Sequence, residues 1–390
     1  MLTVNGRVRL SRHRYFARGI GSRTPLDSWL DRAGAGISHG VREMACRLNQ
    51  ASRGFAKAAD NLARCAQLRL SRETLRELVE AEGKAARAAE QAGRLAPDWD
   101  AADCFVPDEG GRPTGQTRLY LGADGVMVPL VTQAEKDARR KKTRAKRQRR
   151  GRRCRPLPRA RPGADQAFKE FKIVTLYDES AAHRLVVLTR GNSGQAGRLM
   201  RRAAGRVGLG RAHDRVAVVD GAEWIRRQLY EQSLPLDAVG LDFYHLAENV
   251  HKARRAVYGE ADPKDEANPG NVWAARVLHA AKHEGFGGLD RELCSWLKAL
   301  RGKAKRKAAM SLLCYVTERE EMVDYPGSLA KGRQIGSGPT ESMCKAVTLR
   351  VKGVGMKWDG DNAEAVMTLE ALDQSGAWEK YWCLTPHLAL

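Results

Sequence analysis

The sequence predicts an α/β fold: a mixed sheet interrupted by an α-helical insertion and preceded by a small helical domain. Three observations lead there. Five apolar or alternating runs lie between residues 118 and 245, separated by turn residues, with a helical stretch between the third and fourth. Helical periodicity runs through residues 38 to 92, and it returns over most of 246 to 322.

The bulk properties fit a nucleic-acid partner. At 390 residues the chain exceeds the usual size of one domain, and its 43% hydrophobic and 29% charged content is that of a globular protein. Lys plus Arg number 68 against 46 Asp plus Glu, a net +22 that points to an anionic polymer. No window approaches eighteen apolar residues, and MLTVNGRVRLSRHRYF lacks a signal-peptide core, so no membrane partner and a cytoplasmic location are expected. The eight cysteines are scattered without a C-x-x-C pair, which predicts reduced thiols and no structural zinc.

Taken in order, residues 1–35 read as a basic strand or hairpin lead-in, ending at the turn Pro25-Leu26-Asp27. Residues 36–95 form the helical domain. Val41, Met44, Ala45 and Leu48 share one helix face and Phe55, Ala58, Ala59 and Leu62 another, while Ser71 offers an N-cap to RETLRELVE. The short link before that third helix is that of a helix-turn-helix, which would present Arg72, Arg76 and Lys84 to DNA. A plain three-helix cap on a larger domain is the alternative. Residues 96–117 are a polar linker.

The sheet begins at 118. RLYLGADGVMVPLV, FKEFKIVTLYDE, HRLVVLTR, RVAVVDGA and DAVGLDFYH are the strands, with SGQAGRLMRRAAGRVG and EWIRRQLYEQ as helices. Three strands, a helix, a strand, a helix and a strand is the order of a ribonuclease-H-like sheet, and 118–245 is read as the first part of that core. Between its first two strands lies a basic arm, 134–164. In Lys136 to Arg161, fifteen of twenty-six residues are Lys or Arg and only Asp137 is acidic. Like charges so dense predict a largely disordered free segment that becomes helical against phosphate. A solvated loop is the bland alternative. Its place between strands favours a DNA-contacting arm, with Lys141, Lys142, Arg147 and Arg150 among the contacts. Residues 246–331 are the helical insertion, carrying Trp273 and Trp296, which could be core or could stack on an unpaired base. Residues 332–390 are the second part of the core and the C-terminal tail.

Three acids stand where strands end or helices begin. Asp124-Gly125 could be a hairpin turn, Asp220 could cap the helix after it, and Glu341 suits a helix first turn by the dipole alone. In a ribonuclease-H-like sheet, however, the middle of the first strand and the end of the fourth are neighbours, and a later helix crosses them. Three converging carboxylates then call for hard cations, two Mg²⁺ or Mn²⁺ ions shared with substrate phosphate. The turn GSGPT before Glu341 would otherwise suit a phosphate, which an uncompensated carboxylate repels.

These motifs resemble a family. DGVMVPL, FKEFKIVTLYDE, VVDGAEWI, LDFYHLAENVHKA and IGSGPTESMCKAVTLRVKGVGMKW are similar to the DDE transposases of Kra-type insertion sequences, in the mutator-like superfamily, over roughly Thr3 to Leu372. The resemblance implies a catalytic triad of Asp124, Asp220 and Glu341. Asp242 to His245 matches the D-x-x-H signature that follows the second aspartate. Asp242 is a rival metal ligand; Asp220 is preferred because it opens a helix directly after a buried run, which leaves Asp242 and His245 around the ligands. Lys345, Arg350, Lys352 and Lys357 are expected to hold DNA backbone. The implied activity is metal-dependent phosphodiester cleavage and strand transfer at the ends of an insertion sequence. Its partners are double-stranded DNA of element ends and target, engaged by a homodimer or larger assembly at a prokaryotic nucleoid. A catalytically silent, transposase-derived DNA-binding protein and a ribonuclease-H-like host nuclease or resolvase are the other readings.

Overall fold

A computed structural model describes residues 1–387 except 12, 26–35, 150–155, 158 and 263. With 53% helix and 17% strand around a mixed central sheet, the chain is α/β as expected. The end of the Pro25-Leu26-Asp27 turn and Arg150 lie outside the described residues. None of the helices described is long and apolar enough to cross a membrane.

Two short antiparallel hairpins open the chain, β1 (Leu2–Thr3) with β2 (Gly6–Arg7) and β3 (Tyr15–Ala17) with β4 (Gly21–Arg23). Three helices follow: α1 (His39–Gln50), α2 (Phe55–Cys65) and α3 (Arg72–Gln91). The Ser71 hydroxyl accepts the Thr74 N–H at 3.0 Å, so the N-cap read from sequence is in place. The segment expected to be only a linker adds a strand, β5 (Phe105–Pro107), against the start of β6 (Pro113–Pro129).

β6 is the centre of the sheet. It runs unbroken through Asp124-Gly125, paired on one side with antiparallel β7 (Phe168–Tyr177), so these residues are not a hairpin turn. On its other side lies parallel β9 (Asp214–Val219), flanked by parallel β10 (Ala238–Leu241); β8 (Arg184–Thr189) completes the far edge beyond β7. Helix α5 (Ser193–Arg206) joins β8 to β9, and α6 (Glu223–Glu231) joins β9 to β10.

Between β6 and β7, residues Gln133–Arg149 form a helix, α4, with no buried side chain. This corrects the expectation of a largely disordered arm for that stretch. Lys and Arg are good helix formers. The helix also begins on a capping box, in which Thr132 Oγ1 accepts the Glu135 N–H at 3.3 Å and Glu135 accepts the Thr132 N–H at 3.0 Å. Ion pairs from Lys136 to Asp359 and Lys357 to Glu135 fasten its first turn to the body.

The insertion comprises α7 (Phe243–Tyr258), α8 (Pro269–Ala299, broken at Gly285 where φ is +66°), α9 (Lys303–Thr317) and α10 (Tyr325–Ala330). The chain then returns through α11 (Gly338–Leu349), α12 (Gly360–Gln374) and α13 (Trp378–His387).

Period-2 alternation sorts the strands between two cores. Tyr120, Ile173, Val186 and Val218 face a cluster built with α1, α2, α3, α11, α12 and α13. Leu121, Val174, Val187 and Val219 face one built with α5, α6 and the insertion helices. The helical segments expected to be a separate domain and an appended insertion therefore each complete one face of the sheet. α3 packs so closely on α12 that a Cβ at Gly83 would fall 2.2 Å from the Ala365 carbonyl oxygen. Trp273 and Trp296 are buried and stacked, 3.9 Å between ring centroids, so they are core rather than a base-stacking pair.

Where the chain re-enters the sheet, a buried polar cluster holds it. Arg118 donates to Asp214 (2.7 Å), to Glu179 (2.9 Å) and to the carbonyls of Lys331 (2.6 Å) and Gly332 (2.8 Å). Arg333 adds a 3.0 Å bond to Asp214, and the Gln334 N–H donates to the Tyr120 hydroxyl. Burial alone would push the Asp214 carboxyl up, but the two guanidinium groups hold it below the usual carboxylate range. A pKa lowered by folding contributes stability above the unfolded value, about 4, and that contribution is lost as pH falls through the folded value. Asp214→Asn should therefore cost about 3 kcal/mol at neutral pH by leaving two buried arginines without their anion. Its denaturation midpoint should also fall less steeply than the parent's on acidification below about pH 4. Parallel acid limbs in the two proteins would exclude Asp214 as the titrating group.

Candidate active site

Strand register brings the first two acids together. Arg118 pairs with Asp214 and Leu121 with Ala217 along the parallel β6–β9 ladder. The same register carried onward sets Asp124 beside Asp220, on strands about 4.8 Å apart. Asp124 lies on the face that α11 covers; Asp220 directly follows β9 and accepts the Ala222 N–H on Oδ1 at 2.8 Å. The insertion fixes that turn from the other side. Arg319 Nε donates to the Gly221 carbonyl at 3.1 Å and the Tyr315 hydroxyl reaches the Asp220 carbonyl at 3.5 Å. Gly221 has φ +75°, a left-handed conformation that a side chain would strain.

The third acid arrives on α11, which begins with proline in its first turn and carries Glu341 there. α11 crosses β6 at Gly122, where a Cβ would sit 1.9 Å from Thr340 Oγ1 and 2.7 Å from Thr175 Oγ1. Those two hydroxyls are hydrogen-bonded at 2.9 Å in the buried contact. One turn beyond Glu341, the buried Cys344 thiol lies beside the Asp124 carboxyl and is pushed up by burial first and by that charge second. Sequence reasoning missed both Cys344 and Gly122. Cys344 was legible as the residue three after Glu341 on the same helix face; Gly122 had no local signal.

His245 and Asp242 have distinct roles. His245 Nε2 lies 4.0 Å from Glu341 Oε1, and Nδ1 lies 3.4 Å from Glu248. Asp242 is fully buried, and its oxygens accept the N–H groups of Tyr244, His245 and Ser337 and the Ser337 hydroxyl. With both oxygens so occupied, Asp242 caps α7 and anchors the turn before α11 instead of presenting a ligand. The Ser337 N–H that could have met a phosphate is spent on this carboxylate.

Burial raises the Asp124 carboxyl, the Asp220 charge raises it further, and a bond from its own Gly125 backbone, His245 and Cys344 act in the opposite direction. Asp124 thus feels the charges of Asp220 and His245, and His245 in turn lies beside Glu341. Among the described residues, no three His, Cys, Asp or Glu side chains are gathered closely enough to hold a metal ion. The donor chemistry nonetheless fits a hard cation, since the Asp124 carboxylate is penalised by burial and by the neighbouring Asp220 charge.

The expected DNA contacts divide. Lys141 and Lys142 are exposed on α4, Arg147 is half-buried there, and Lys345 and Lys352 are exposed around the end of α11. Arg350 is a correction. It is buried, donates twice to Asn49 Oδ1 (3.2 and 3.0 Å) and lies over the Phe55 ring at 4.5 Å; burial pushes its pKa down to about 10. Lys357 is exposed but paired with Glu135. Arg76 is half-buried and turned onto Glu73 and Glu80 of its own helix, while Arg72 is exposed and Lys84 half-buried. The exposed positions of α3 also include Glu73, Glu77, Ala81 and Ala85, so its outer face is not the basic reading surface expected of a recognition helix.

No family model matches the chain, and no curated protein matches it.

Gly122→Ala should force α11 off the strand. Overpacking of this kind costs about 1–3 kcal/mol, and a thermal melt that matches the parent's would show that the Gly122–Thr340 contact does not set the helix position.

Proposed function

We propose that this chain is a DDE-type DNA transposase with a ribonuclease-H-like core. The observation that carries the reading is the parallel β6–β9 register, which, carried past the pair Leu121 and Ala217, sets Asp124 beside Asp220 just after β9, with Glu341 on α11, the helix that meets β6 at Gly122. The strand order supports the core assignment: the first strand is central, antiparallel to the second and parallel to the fourth, with the third and fifth outside them.

Asp124, Asp220 and Glu341 would hold Mg²⁺ or Mn²⁺, two ions once substrate phosphate shares the site. Such ions, when bound, polarise the scissile phosphate and stabilise its attacking and leaving oxygens. The protein's own groups supply the rest. Cys344 packs beside Asp124, and Glu248 and Glu341 flank His245, whose ring would meet a phosphate oxygen. The exposed cations of α4 and of Lys345 and Lys352 carry duplex backbone on either side. Holding two element ends together requires two copies of the chain or more on DNA, and the setting is a prokaryotic nucleoid.

A catalytically silent, transposase-derived DNA-binding protein is the second reading. That the three acids do not form one close cluster among the described residues favours it. Nicking of a duplex taken from the DNA flanking the gene separates the two. The transposase cuts with Mg²⁺ or Mn²⁺, and Asp124→Asn or Glu341→Gln lowers the rate by more than about 100-fold while leaving duplex affinity intact. Parent protein that binds this duplex and never cuts it is the silent form, and full cutting by Glu341→Gln removes Glu341 from the site.

Deleting residues 136–161 should make the salt dependence of duplex binding shallower, by about 0.9 in log–log slope for each phosphate contact removed. An unchanged slope would make the arm a bystander.

A further inference from the structure

The insertion leaves a groove between α7 and α8 that neither core uses, about 1300 Å³ in volume. That exceeds the roughly 300–1,000 Å³ of ordinary small-molecule sites, which suits a length of polymer better than a metabolite. It begins at the carboxylate site. Tyr244 and Glu248, which line it, flank His245 on α7, and Glu248 is the acid on His245 Nδ1. The Tyr244 ring covers the turn before α11, where a Cβ on Gly336 would lie 3.0 Å from it.

The chemistry of the groove changes along its length. At the site end, Tyr244 is 68% exposed, with no ring stacked on it among the described residues; Val272, 50% exposed, lies at the other end, next to Asn271, which Arg254 bonds. Eight and eleven residues along α7 come Lys252 and Arg255, about 12 and 16 Å from Tyr244 at 1.5 Å per residue. Lys252 makes no ion pair or hydrogen bond among the described residues, and Arg255 has only a 3.8 Å contact with Glu260. Of the two carboxylates on the lining, Glu248 is engaged with His245 and only Glu266 offsets the cations. An aromatic platform followed by a basic track is the combination that binds single-stranded nucleic acid, whose unpaired bases expose the faces that stack.

We propose that the α7–α8 groove binds single-stranded DNA: unpaired nucleotides beside the cleaved phosphate stack on Tyr244, and their backbone runs along Lys252 and Arg255. The placement beside the cut rests on the transposase reading, whereas binding itself does not. The test therefore uses the full chain in EDTA, where no cleavage intervenes. Two fluorescein-labelled probes of the same sequence are compared by anisotropy, a blunt duplex and a duplex with a six-nucleotide single-stranded tail. The parent should prefer the tailed probe. Tyr244→Ala should weaken the tailed probe by roughly 5- to 100-fold and leave the blunt probe unchanged; Tyr244→Phe should keep the preference. Lys252→Glu with Arg255→Glu should also lower tailed binding selectively, and decides the matter if Tyr244→Ala loses both probes by misfolding. A parent that binds both probes equally, or a Tyr244→Ala and a Lys252→Glu with Arg255→Glu variant that both keep the preference, would overturn the groove assignment. A chain that never cuts DNA yet keeps this pattern would overturn the transposase reading and leave the groove standing.

Discussion

Asp242 has no solvent exposure, and four donors from two distant parts of the chain meet on its carboxylate. Two come from the first turn of α7 and two from Ser337, at the start of α11. Each helix start is the positive end of a dipole, so the charge is stabilised twice over. A buried carboxylate without such partners would cost several kcal/mol. The Phe243 N–H adds a 2.9 Å bond to the Ile335 carbonyl, which ties the same two segments again. Because His245 and Glu341 each lie within one turn of these starts, their meeting is a consequence of where Asp242 sits. A residue that matched a catalytic signature thus holds the two helices that bear His245 and Glu341.

Two further constraints place that pair against the sheet. The missing side chain at Gly122 lets α11 touch the strand at Thr340, and the buried Arg118–Asp214–Arg333 cluster pins the segment just before α11 to β6 and β9. From the opposite face, α9 reaches the Asp220 turn through Arg319 and Tyr315. The insertion is therefore a structural wall of the site, and the small helical segment α1–α3 closes the other core.

The elements legible in the sequence were those whose signal is local. Alternating apolar runs marked all five main strands, and Ser71 marked the start of α3, because side-chain period and capping chemistry act within a few residues. Asp124-Gly125 left a hairpin turn open beside the single strand that the sequence predicts and β6 forms. The dipeptide favours a turn, but pairing with Ile173 and Lys172 of β7 carries the strand through it, a tertiary effect no local pattern carries. Charge misled through the same kind of effect: Arg350 looks like its exposed neighbour Lys352, and only the fold places Asn49, Phe55 and Trp358 around it. Arg76 has its partners one turn away on its own helix, and these were legible as Glu73 and Glu80 at i−3 and i+4.

A chain with a net charge of +22 keeps a repelling pair of acids in a half-buried site, and the two facts belong together. Carboxylates alone would repel a polyanion. In the proposed reading, the surplus positive charge on α4 and around the end of α11 would attract the backbone outside the site, and the acids would confront only the phosphate at its centre. There the raised Asp124 carboxyl marks a charge that the protein's own groups do not fully neutralise. In the proposed reading, that deficit is the reason a hard cation and a phosphate would enter together, each satisfying what the other leaves uncompensated.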